Sequence, residues 1–236
     1  KRFISKYFFL GFYFSVKKMV IRHISFGHKG GWYHYRVHAT KISELCKDNL
    51  FPLKGYLESM FEQCPNDYFQ IGPRSSALKF KLDNLNLKSV KNHDLCDWAR
   101  IGLEKYSERY DTAHSQVQVF MLENDNKRIA AEVPLWLEAD EAEFYQSLFM
   151  TGEPLTGHID LLRIEDNKIW VLDYKPNANI EKFAATQVYF YALMLSKRAK
   201  IPLEKFRCGY FDWKDCYLFK PDECSLPKMK KVLDFY

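Results

Sequence analysis

Two strand-like runs joined by a polar tetrapeptide constrain this chain more than any other feature. Residues 157–164 read Gly-His-Ile-Asp-Leu-Leu-Arg-Ile, 165–168 read Glu-Asp-Asn-Lys, and 169–175 read Ile-Trp-Val-Leu-Asp-Tyr-Lys. With Asp166-Asn167 as a two-residue hairpin turn, Glu165 falls opposite Lys168 and Asp160 opposite Asp173. Directly opposed residues hold their Cβ atoms about 5 Å apart, and like charges there are destabilising. A fold that keeps two carboxylates so close calls for a cation between them.

Side chains alternate along a strand. Lys175 therefore shares the face of Asp173 and lies opposite His158. One end of the hairpin gathers His158, Asp160, Asp173 and Lys175 on one face. The other face carries Ile159, Leu161, Leu172 and Tyr174, with Trp170 further along. Toward the turn, Leu162, Ile164, Ile169 and Val171 fall on the carboxylate parity, so both faces become apolar there. That pattern predicts a central hairpin with a site at one end.

Paired carboxylates suit a hard cation such as Mg²⁺, which takes oxygen ligands and keeps several waters. Such an ion polarises a phosphoryl oxygen and lowers the pKa of bound water. A neighbouring lysine can orient that water or stabilise charge on the phosphate. The residues alone suit metal-assisted phosphodiester hydrolysis. They equally suit a surface hairpin with ordinary acidic residues, since the turn register is assumed.

Three motifs in order supply a resemblance: Gly157-His158-Ile159-Asp160, Leu172-Asp173-Tyr174-Lys175, and Gln187-Val188-Tyr189-Phe190-Tyr191. Together they resemble the PD-(D/E)xK nuclease superfamily in its RecB-like branch, over roughly residues 95–220. The resemblance implies metal ligands at Asp160, Asp173 and the backbone carbonyl of Tyr174, with Lys175 as the catalytic lysine and Mg²⁺ or Mn²⁺ as cofactor. It implies that Gln187 and Tyr191, four residues apart on one helix face, approach the nucleic acid. His158 joins them as a candidate contact. The family's acidic residue on an earlier strand is matched to Glu132, with Glu138, Asp140 and Glu141 as rivals. Many RecB-like members also carry a helix histidine ahead of the first strand. The matching position here is Arg100; His158 and His114 are possible substitutes but not favoured ones. Pro176 stands where Thr is common.

The implied function is divalent-metal-dependent hydrolysis of DNA phosphodiester bonds, with exonuclease character. The alternatives are a nuclease fold that binds DNA or builds a complex without cleaving, and an RNA-directed nuclease. The expected fold is α/β: a restriction-endonuclease-like core with a mixed central sheet flanked by helices, plus an N-terminal β-rich and helical extension. Residues 1–90 are expected to be accessory and 91–236 the nuclease core.

Composition is compatible with these expectations. The chain has 236 residues, 47% of them hydrophobic, enough for an ordinary core and an accessory part. No apolar run of about eighteen residues occurs, so no spanning helix and no membrane partner are expected. A net charge of +5 suits a phosphate backbone without identifying one. Six cysteines without a C-x-x-C pair predict reduced thiols and an intracellular protein. Cys208, Cys216 and Cys224, with Cys64-Pro65 upstream, resemble the iron–sulfur ligands of some relatives, but their wide spacing argues against a cluster. Four histidines at 23, 28, 34 and 38 are expected to pack or contact nucleic acid rather than bind zinc.

Along the chain, the apolar run 7–16 is expected to be a strand or hairpin and not a leader. Runs 19–26 and 32–37 read as a hairpin joined through 27–31, 41–70 as helical, and 78–87 as a short strand. A helix capped by Asn92 or Asp94 is expected to run to about Tyr110. Strands are expected at 115–122 and at 127–138, where Pro134 suggests an edge or bulge. A short helix or loop at 141–150 precedes the central hairpin. A long helix over 180–200 and strands at 206–213 and 216–219 complete the order α-β-β-β-β-α-β-β.

Overall fold

The computed structural model describes residues 21–227; the run 7–16 lies outside them. Among the described residues, eight strands form one sheet. In chain order they are β1 (Ile21–His28), β2 (Gly31–His38), β3 (Lys88–Ser89), β4 (Arg128–Leu137), β5 (Leu155–Glu165), β6 (Lys168–Tyr174), β7 (Phe206–Phe211) and β8 (Cys216–Phe219). Across the sheet the order is β1-β2-β4-β5-β6-β7-β8-β3. β6 and β7 pair in parallel and every other neighbouring pair is antiparallel. The helices are α1 (Ala39–Leu45), α2 (Phe51–Gln63), α3 (Tyr68–Ile71), α4 (Asp94–Lys105), α5 (Ala113–Asn124), α6 (Tyr145–Phe149) and α7 (Ala184–Ala199).

The central hairpin has the expected register. Glu165 pairs with Lys168, Leu161 with Leu172, and the same offset carries Asp160 opposite Asp173. Asp166 and Asn167 have φ of 51° and 54°. Two positive φ values make the type I′ geometry whose twist suits a two-residue hairpin, and Asp and Asn tolerate it.

Both faces of the hairpin are buried near the turn. Leu162, Ile164, Ile169 and Val171 pack into the larger core, with Val188, Phe190 and Leu195 of α7. Leu161, Leu172 and Tyr174 pack with Leu95 and Ala99 of α4 and Val117 and Met121 of α5. Ile159 joins the larger core beside Val133, its β4 partner, and not the smaller one. α7 is the long crossover that the parallel β6–β7 pair requires. It begins at Ala184, later than expected, because 178–180 form a short 3-10 turn.

The largest departure from expectation is α5. Residues 115–122 are helix and not strand. Thr112 caps it by accepting the Ser115 N–H at 3.2 Å. Six consecutive residues, Val117 to Leu122, are buried. A helix covered on every side loses its 3.6-residue pattern, so a short apolar run reads the same as a buried strand. The order is thus one helix richer and one strand poorer than expected. α4 stops at Lys105, and its cap is His93, which accepts the Leu95 N–H at 3.2 Å. Residues 78–87 do alternate, with Leu78, Phe80 and Leu82 buried. They form no ladder; the run makes one isolated bridge, from Asp83 to Ser225, outside the strands of the sheet. The 41–70 stretch divides into α1, a 3-10 turn, α2 and α3.

Pro134 sits inside the sheet, paired with His158. Its other side is free of the ladder because β2 pairs with β4 only at Ala130 and Ala131. The Tyr56 hydroxyl donates to the Pro134 carbonyl at 2.5 Å. Among the described residues no helix is long and apolar enough to cross a membrane.

Candidate active site

Three neighbouring strands bring three acids into one row. On β4 and β5 the register pairs Ala131 with Leu161 and Val133 with Ile159, which sets Glu132 opposite Asp160. Asp160 in turn stands opposite Asp173. All three line a cavity of about 260 Å³ together with Lys175, Gln187 and Tyr191.

Each acid has a different partner. Asp160 Oδ2 accepts the Tyr174 N–H at 2.8 Å. Burial, then the nearby Asp173, pushes its carboxyl well above the usual range. Asp173 is 2% exposed, and its Oδ2 lies 2.7 Å from Lys175 Nζ. Oδ2 makes no hydrogen bond and is a buried oxygen held by that ion pair. Burial disfavours the Lys175 ammonium, but Asp173 and Asp160 outweigh it and hold the pKa above the ordinary lysine value. Glu132 has φ of 50° in mid-strand, and its carboxylate accepts the His34 N–H of β2.

Gln187 and Tyr191, one turn apart on α7, are bonded to each other: Gln187 Nε2 donates to the Tyr191 hydroxyl at 2.6 Å. Gly157 is what admits the Tyr191 ring. A Cβ at Gly157 would fall 2.4 Å from Tyr191 Cε1 and 2.5 Å from Ser75 Oγ. His158 lines the same cavity but is 6% exposed. Its ring is stacked on Tyr33 at 3.7 Å and its Nε2 is 2.8 Å from His28 Nδ1.

Of the cavity residues that the sequence did not assign to the site, two bear on its chemistry: His114, only an unfavoured substitute for the family's helix histidine, and Arg74. His114, in the first turn of α5, has Nε2 3.8 Å from Asp160 Oδ2 and packs edge-on against Tyr174. Burial lowers its pKa, which favours the neutral ring. The position matched to the family's helix histidine, Arg100, lies on α4, is 55% exposed and pairs with Asp97. The histidine facing the acids from a helix ahead of β4 is thus His114, hidden because 115–122 resembles a strand. Thr112 as N-cap was the available signal. Arg74 is the second residue, from a segment with no motif of its own.

Two of the rivals of Glu132 are engaged elsewhere, and none of the three lines this cavity. Glu138 and Glu141 form a capping box around the 3-10 turn at 139–141 and pair with Arg198. The late cysteines do not converge: Cys208 packs in the larger core and Cys216 in the smaller one, on opposite faces of the sheet. The four N-terminal histidines also diverge. His23 and His34 share Ser25, His28 meets His158, and His38 caps α1.

The site fits a hard divalent ion. A buried carboxylate oxygen makes no hydrogen bond beside its ion pair with Lys175, a second carboxyl is held toward its protonated form, and the donors are oxygens. Among the described residues, no three of His, Cys, Asp and Glu already stand as a ready cage. That agrees with Glu132 being turned to the His34 N–H.

No curated protein and no solved structure matched the chain. One family model did, over residues 85–231, a span that contains Glu132, His114, the whole central hairpin and α7. Members of that family are nucleases and phosphodiester hydrolases, and the fold here, a mixed eight-stranded sheet flanked by helices, is consistent with theirs. The chain belongs to the PD-(D/E)XK nuclease superfamily.

Proposed function

We propose that this protein is a Mg²⁺- or Mn²⁺-dependent nuclease that hydrolyses DNA phosphodiester bonds, with an exonuclease of the RecB-like kind as the finer reading. The observation that carries it is the row Glu132, Asp160, Asp173 beside Lys175 in one cavity. Asp160, Asp173 and the Tyr174 carbonyl would hold the ion, with Glu132, which accepts the His34 N–H, as the further acid of the row. The bound ion supplies a water of lowered pKa and polarises a phosphoryl oxygen.

The remaining roles belong to the chain. Lys175 stays an ammonium because two carboxylates hold its proton. As an ammonium beside the acidic row it is placed to donate to a phosphoryl oxygen or to the attacking water. His114, whose pKa is lowered by partial burial, brings Nε2 to 3.8 Å from Asp160 Oδ2. The Gln187–Tyr191 pair forms the α7 wall that positions the strand. Residues 1–90 serve as an accessory region that walls the cavity, through Tyr33 and Arg74, while 91–236 carry the chemistry. DNA is the proposed partner, and an intracellular setting is supported by that partner and by the six free thiols.

The test is incubation of the protein with end-labelled DNA and RNA strands in Mg²⁺ or Mn²⁺. Metal-dependent loss of DNA label and a fall of about 10²-fold or more in Lys175→Met are expected. A Lys175→Met protein as active as wild type rejects the assignment. Preferential cleavage of RNA moves the substrate to the RNA-directed alternative.

A further inference from the structure

The cavity holds a second cation that the roles above do not use. Arg74 enters it from a segment outside the family-matched residues 85–231. Its backbone forms a parallel bridge to Thr156, and the Thr156 N–H donates to the Pro73 carbonyl at 2.9 Å. The residue is therefore tied to β5 just ahead of Asp160.

Its guanidinium is braced without being neutralised. Nη1 donates to the Lys29 carbonyl at 2.6 Å, and Nη2 donates to the Tyr33 hydroxyl. The guanidinium carbon sits 5.2 Å from the Tyr33 ring centre, and that ring is itself stacked on His158. Gly30 at the β1–β2 turn leaves the space, since a Cβ there would fall 2.3 Å from Nη1. Among the described residues, both hydrogen-bond partners of Arg74 are neutral oxygens and no carboxylate pairs with it.

A guanidinium has five N–H donors, and these contacts use two. The free donors form a planar fork matched to phosphate. Because the side chain is already fixed, little rotamer freedom is lost when an anion arrives. Once a divalent ion offsets the acids, Lys175 and Arg74 leave the cavity attractive to a polyanion.

We propose that Arg74 is a phosphate-binding residue of this cavity, holding a backbone phosphate of the substrate strand next to the one that is cut. The proposal rests on the nuclease reading for its substrate. It makes the region ahead of the matched residues a contributor to substrate binding.

The test uses the full chain, with Arg74→Gln and Arg74→Lys. A labelled single-stranded oligonucleotide is bound in Ca²⁺ and cleaved in Mn²⁺ from about 50 to about 200 mM salt. Arg74→Gln is expected to raise KM and Kd about tenfold with kcat nearly unchanged. The slope of log Kd against log salt should fall by about 0.7, the share of one phosphate on a single strand. Arg74→Lys should keep the slope and lose part of the affinity. An unchanged slope in Arg74→Gln, or a lower kcat at unchanged KM, overturns the proposal. Should Arg74→Gln fail to fold, Arg74→Lys decides, and an unchanged Kd there overturns it. Should the wild type cleave nothing, the nuclease reading fails on its own, and the slope in Ca²⁺ still tests Arg74.

Discussion

Replacing Asp160 with Asn should make the metal-free protein more stable while abolishing its activity. Two unit charges about 5 Å apart, at an effective dielectric constant of about 20, repel by about 3 kcal/mol. Lys175 at 2.7 Å from Asp173 and the Tyr174 N–H on Asp160 offset part of that. We take about half, ~1.5 kcal/mol, as the cost that Asp160→Asn relieves. Asn can still accept the Tyr174 N–H, so the change removes charge and little else. For a chain of this size the gain corresponds to a rise in Tm of about 3–6 °C. The pH dependence has a definite sign. The folded Asp160 carboxyl is raised above its unfolded value of 3.8, by burial first and Asp173 second. Its protonated form stabilises the fold fully below that unfolded value, and the contribution is lost as pH rises through the folded value. Metal-free wild type should therefore weaken with rising pH more steeply than Asp160→Asn. Adding Mn²⁺ at about 100 times Kd should return about 2.7 kcal/mol to wild type, and much less to the variant. Thermal melts with EDTA and with Mn²⁺, between acid and mildly alkaline pH, supply all four curves. A variant that melts lower than wild type without metal, or gains as much from Mn²⁺, refutes the reasoning.

Two further substitutions probe the walls of the cavity. Gly157→Ala puts a methyl into the space of Tyr191 and Ser75; a loss of about 1–3 kcal/mol in urea unfolding is expected, and no loss means Tyr191 does not seat there. His114→Ala should weaken Mn²⁺ binding about 10–100-fold by calorimetry, as removal of a group orienting a ligand does. Unchanged binding would leave His114 a packing residue against Tyr174.

The hairpin was legible because its information is local. Period-two alternation, a two-residue turn and the chemistry of Asp166-Asn167 fix the register without tertiary context. α7 was legible for a similar reason: its length exceeds that of any strand. α5 was not, because burial on all sides erases the periodicity that separates helix from strand. Losing α5 left His114 an unfavoured substitute, because its meaning depends on the helix that aims it. Arg74 was out of reach for a different reason. It enters the cavity through an isolated bridge and two side-chain bonds to a hairpin more than 40 positions away. No sequence period encodes such contacts.

Glu132 shows how the N-terminal hairpin and the acidic row are linked. A non-glycine residue at φ of 50° inside a strand costs about 1–2 kcal/mol. Here the cost coincides with a carboxylate that accepts the His34 N–H where β2 has already left the ladder of β4. Strained residues of this kind collect at functional sites. Two roles are separable by substitution. Glu132→Gln keeps an acceptor for His34 and removes the charge a divalent ion would need. Glu132→Gly removes both and relieves the strain. If Glu132 is a ligand, both variants lose activity by about 10²-fold or more, and Glu132→Gly costs the fold little because relief offsets the lost hydrogen bond. If it only holds β2, Glu132→Gln cleaves as wild type does and Glu132→Gly alone is impaired. We expect the first outcome. A fully active Glu132→Gln would assign the acidic row to Asp160 and Asp173 alone.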